Sequence, residues 1–122
     1  MPRFMLVLRA DTGQDYSGYS PEDFQRLIQE YQAWSEGLAR QGLLLDGKKL
    51  TDEGGRVLTP GKGGAVTVKD GPYVETKEVV GGFYLIKAES YEHAAELCKG
   101  HPNFKFGSIE IRQVDAMGQP ED

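Results

Sequence analysis

Asp70-Gly71-Pro72-Tyr73-Val74-Glu75-Thr76-Lys77-Glu78-Val79-Val80-Gly81-Gly82-Phe83-Tyr84-Leu85-Ile86 is the stretch that decides the fold. Asp70-Gly71 is a tight-turn signal. A charged, extended segment follows, and the stretch ends in an apolar strand. Side chains alternate along a strand, so Phe83 and Leu85 point to one face while Tyr84 and Ile86 point to the other. Phe4-Met5-Leu6-Val7-Leu8 is a second strand of the same kind. Strands that are apolar on both faces need cover on both faces.

Upstream of the turn, Ala65–Lys69 reads as a strand whose partner returns over Tyr73–Thr76. Thr51–Gly64 holds five glycines and Pro60, and reads as a loop or an irregular hairpin. Leu43–Leu50 reads as a strand leaving a helix. That helix starts at Ser20-Pro21-Glu22-Asp23, with Ser20 as cap, Pro21 in the first turn and Asp23 closing a capping box. Phe24, Leu27, Ile28, Tyr31, Trp34 and Leu38 recur at helical spacing, and Gln41-Gly42 stops the helix. Gly37 interrupts the pattern, and a close approach to a neighbouring strand is one reason for it. Downstream, Ser90 caps a second helix in which Tyr91, Ala94, Ala95 and Cys98 share a face. Ile109–Val114 alternates as a last strand.

The order is strand, helix, strand, inserted hairpin, strand, helix, strand. That is an α+β, ferredoxin-like βαββαβ arrangement over residues 1–122, with 115–122 as a polar tail. Two helices cover one face of a four-stranded sheet. The other face needs a cover, and a second copy of the chain supplies one in a dimeric α+β barrel. The alternative is a monomer with residues 51–64 folded across that face.

The 122 residues fit one domain, and the net charge of −5 with no basic block argues against nucleic acid and anionic membranes. Cys98 is the only cysteine, which excludes an internal disulfide and a cysteine-based zinc site. No apolar run reaches membrane-spanning length, and no signal-peptide pattern opens the chain, so the expected location is cytoplasmic. No cofactor motif is present: the glycines at 54–55 and 61–64 lack the Lys-Ser/Thr of a phosphate loop. Two separated histidines, His93 and His101, give no metal-ligand spacing.

Asp70-Gly71-Pro72-Tyr73, then Glu75, Lys77-Glu78 and Gly81-Gly82-Phe83-Tyr84, resembles the signature of the YCII-related family, and most closely its DGPF subgroup, which has Phe in place of Tyr73. His101-Pro102, Ile109-Glu110-Ile111-Arg112 and Phe4-Met5-Leu6-Val7 are similar to the closing and opening patterns of that group. The resemblance implies the same fold, with a likeness to muconolactone isomerase, and a dimeric barrel. Some members are linked to breakdown of chlorinated aromatics, with a His-Asp pair as acid and base and the histidine in the first helix. Residues 22–41 hold no histidine here, so that half of the pair does not carry over. The resemblance also implies a sigma-factor-linked regulatory setting.

Asp70 is the leading catalytic candidate, as a general base beside a dimer cavity; the alternative is an Asx turn. His101 could move a proton or steady charge; the alternative is a surface loop histidine at a helix end. Tyr73, Glu75 and Lys77 are candidate ligand-binding residues, with an exposed cross-strand charge pair as the alternative for the last two. Arg112 could hold a substrate carboxylate in a forked contact; the alternative is an ion pair. Two functions follow. One is a dimer that binds a small polar or aromatic ligand or a regulatory partner. The other is an isomerase or lyase using Asp70 with His101 or Arg112.

Overall fold

Ser20 starts the first helix through both halves of a capping box: its hydroxyl accepts from the Asp23 N–H, and the Asp23 carboxylate accepts from the Ser20 N–H. In the computed structural model that helix, α1 (Pro21–Arg40), follows β1 (Arg3–Asp11) and leads into β2 (Leu44–Lys49). Next come β3 (Arg56–Pro60), β4 (Val66–Asp70), β5 (Glu78–Lys87), α2 (Tyr91–Cys98) and β6 (Gly107–Gln113). The structure describes residues 1–11, 17–70 and 78–121. Tyr73, Glu75 and Lys77, and the return strand expected over Tyr73–Thr76, lie outside them.

β2, β5, β1 and β6 form an antiparallel sheet in that order. β5 therefore lies between β1 and β2, which is the split βαβ of a ferredoxin-like α+β fold. The helices pack on one face, where Phe4, Leu6, Leu8, Tyr84 and Ile86 meet Leu38, Ala94 and Cys98. Trp34, Leu97, Ile109 and Ile111 close the margin of this core. Gly107 allows β6 to lie close to β1, since a Cβ there would sit 2.0 Å from the Arg9 carbonyl oxygen.

Three sequence expectations change. The 65–69 strand finds a partner upstream: of the loop and the irregular hairpin offered for residues 51–64 the hairpin forms, and its β3 pairs with β4 residue for residue from Arg56↔Asp70 to Pro60↔Val66. The tight reversal falls at Gly61–Ala65, where the Gly61 N–H donates to the Ala65 carbonyl. The second change concerns α1, whose apolar stripe is used mainly at its C-terminal half; Phe24 and Ile28 remain exposed. Finally, Gly37 faces open space and makes no close approach.

The other face of the sheet is read from the register. Met5 and Val7 of β1 stand beside Leu85 and Phe83 of β5. All four are half-buried, shielded by one another, and no described helix packs over them. The expectation that β1 and β5 are buried on both faces thus holds for only one face within a single chain.

Candidate functional site

His101 follows α2 because Gly100 takes a left-handed φ of +82° and turns the chain inward. It is only 2% exposed, so it is neither a surface loop residue nor open to solvent. Its Nδ1 accepts the Asn103 N–H at 2.9 Å, and its Nε2 lies 3.2 Å from the Tyr84 hydroxyl. An Nδ1 that accepts a backbone N–H carries no proton, so Nε2–H donates to Tyr84. Trp34, Tyr31 and Tyr84 surround the ring, with centroids 4.6, 5.1 and 5.5 Å away. Trp34 is held in turn by its indole N–H, which donates to the Leu97 carbonyl. Asn103 donates to the Arg9 and Ser108 carbonyls, which ties this turn to both β1 and β6.

Burial holds the His101 pKa down to about 4, and burial pushes the Tyr84 hydroxyl up against a hydrogen bond from Ser35. The imidazole is therefore neutral at pH 7, with both nitrogens occupied. An unfolded chain takes a proton at this ring below pH 6.5, whereas the folded chain refuses it until about pH 4. The stability tied to this group is whole above pH 6.5 and is lost as pH falls toward 4, by roughly 3 kcal/mol. Urea midpoints should show this directly. The wild type should lose more stability than His101→Gln between pH 6.5 and 4; parallel profiles would contradict a buried neutral ring.

Cys98 sits in the same core, and burial pushes its thiol up to about 11. Little thiolate forms at neutral pH, so an aromatic disulfide reagent should modify it only at the rate of unfolding. Fast modification of the native protein would contradict this packing.

The remaining candidates stand elsewhere. Asp70 lies on the β3–β4 ribbon, where its side chain is 94% exposed and pairs with Arg56 at 3.3 Å. Arg112 lies on the open sheet face, opposite Met5. Asp70, His101 and Arg112 thus occupy a projecting ribbon, a sealed core and the open face, and one chain does not bring them together.

On the open face, Arg9 reaches Oε1 of Glu110 through Nε at 3.0 Å and Nη2 at 2.8 Å. Arg112 reaches Oε2 at 3.3 Å and is otherwise exposed. Arg9 first and Arg112 second hold the Glu110 carboxyl below the usual range. Sequence reasoning missed Arg9, since only the β1–β6 register shows that it borders Glu110. It also missed Tyr84, Trp34 and Asn103 as the partners of His101. A shallow hollow of about 150 Å³ beside α1 is lined by Tyr19, Asp23, Arg26, Leu27, Glu30 and Lys105. Its charges pair as Asp23–Arg26 and Glu30–Lys105. Among the described residues no group of three His, Cys, Asp or Glu side chains is placed to hold a metal, and no helix is long and apolar enough to cross a membrane.

Sheet order, helix placement and the polar border of the open face define an α+β protein of the split βαβ class. Residues 3–117 match the YCII-related domain, and the chain belongs to that family. The uncharacterized protein R00369 of Rhizobium meliloti (strain 1021) is 30% identical over 100 residues, which cover 80% of this chain and 81% of that protein. Among solved structures, the chain is similar to 5-chloro-2-hydroxyhydroquinone dehydrochlorinase (TftG) from Burkholderia phenoliruptrix AC1100, in complex with 2,5-dihydroxybenzoquinone. The identity is 18%, 93% of each chain is covered, and the TM-score is 0.45.

Proposed function

We propose that the chain works as a homodimer, sheet against sheet, and binds a small polar or aromatic molecule on the ground between the sheets. The observation that carries this is the row Met5, Val7, Phe83 and Leu85, an apolar sheet centre with no described helix over it. An apolar surface of this kind is the usual mark of an interface, and closed twofold pairing is the commonest way to cover one. The β3–β4 ribbon adds to the case. Leu58, Val66 and Val68 share one side of it and are all exposed, and a lone two-stranded ribbon is marginal in water without a packing partner. The motif Asp70-Gly71-Pro72-Tyr73 supports a place in the DGPF subgroup, and with it a cytoplasmic, sigma-factor-linked setting.

In the acid–base version Asp70 takes the proton and His101 or Arg112 steadies the developing charge, so one of the two must stand beside Asp70 at the substrate. His101 is sealed in the core, so an enzymatic version of this reading needs the partner chain to carry Asp70 to Arg112.

A thermal screen of small polar and aromatic molecules tests the binding half, because a ligand of the native state raises the midpoint. The expected result is a stabilising compound whose effect disappears in a monomeric Phe83→Lys variant. A compound that stabilises both proteins equally, or a panel without any effect, would contradict it.

A further inference from the structure

We infer that the end of the open face where β1 begins is a binding site for a small carboxylate carried on an apolar body. This deepens the ligand-binding reading above and rests on it. Arg3 stands directly across from Lys87 in the β1–β5 register, and Arg112 stands across from Met5, one step along the same face. Like charges facing each other across a ladder are destabilising, so such a pair needs an anion nearby. The face does not provide one among the described side chains. Its two carboxylates, Asp46 and Glu110, are engaged by Lys48 and by Arg9 with Arg112. The Arg3 Nε is buried without a hydrogen-bond partner, and a donor left in that state carries a penalty that an acceptor would remove. Three cations therefore stand together in the register where, among the described residues, no acid meets Arg3 or Lys87.

The described side chains of a second copy's sheet face do not solve this. Among those side chains, each face of a sheet-to-sheet pair brings five cations, Arg3, Arg9, Lys48, Lys87 and Arg112, against Asp46 and Glu110, which are already bonded. Two faces of net positive charge then meet, and an anion held between them offsets the repulsion. Arginine supplies a planar fork suited to a carboxylate, and lysine a point charge beside it. Met5 and Leu85 border the cations, so the acid's apolar body has a surface to lie on.

The full-length protein is titrated with benzoate, with benzamide as neutral isostere and with sodium chloride at matched ionic strength. Binding is read by calorimetry and by the thermal midpoint, and sedimentation is run in the same buffers. Benzoate is expected to bind and stabilise while benzamide and chloride do neither. Lys87→Gln and Arg112→Gln should each weaken benzoate at least tenfold, and Lys48→Gln, whose cation is paired with Asp46, should leave it unchanged. Benzoate acting no better than chloride, or equally well in all variants, would overturn the site. Loss of the dimer in Arg112→Gln without any carboxylate present would also overturn it, by assigning the cations to a partner's acid. A dimer that ignores benzoate removes this site and leaves the assembly standing. A monomer that binds benzoate through Arg112 removes the assembly instead.

Discussion

Phe83→Lys should convert the protein to a folded monomer. Phe83 lies between Val7 on β1 and Lys48 on β2, at the centre of the open face. It takes no part in the helix-side core of Phe4, Leu6, Tyr84 and Ile86, so the chain keeps its fold when Phe83 changes. In a sheet-to-sheet pair the new ammonium would be buried near Lys48 and against a second cationic face. An uncompensated buried charge costs about 3–5 kcal/mol, which raises a dissociation constant by roughly a thousandfold. Sedimentation should show a monomer at micromolar concentration, with a far-ultraviolet spectrum like that of the wild type. A variant that stays dimeric at wild-type affinity would place the contact surface elsewhere.

His101→Ala should be the most damaging single change to the chain itself. It removes a ring packed among Trp34, Tyr31 and Tyr84 and leaves the Asn103 N–H without its acceptor. The cavity and the orphaned donor together cost about 3–5 kcal/mol. A domain of this size has roughly 5–15 kcal/mol in all, so the loss is a large share. Urea denaturation of the purified variant measures it. A loss below about 1 kcal/mol would mean that the ring does not hold α1, α2 and β5 together.

Local signals were the legible ones. Ser20 and Asp23 announced the start of α1, Gly42 its end, and Ser90 the start of α2, because capping depends on residues within one turn of each other. The strand pattern of Phe4–Leu8 and Phe83–Ile86 showed which sheet positions are apolar on both sides. What stayed hidden depends on register and packing. β3 carries Pro60 and is flanked by glycines, so residues 51–64 read as a loop or an irregular hairpin until the pairing of β3 with β4 is known. His101 looked like a loop residue after a helix. Only the inward turn at Gly100 puts it under Trp34 and Tyr84, more than a dozen residues away in sequence. The Arg3–Lys87 pair is likewise invisible until the β1–β5 register is known.

Sedimentation equilibrium of the wild-type chain, from about 0.1 to 100 µM, tests the sheet-to-sheet pairing most directly, a range that brackets the affinities of ordinary protein interfaces. The predicted result is twice the chain mass across the micromolar range, with Phe83→Lys giving the single chain mass under the same conditions. A wild-type protein that is fully folded and monomeric at 100 µM would contradict the account.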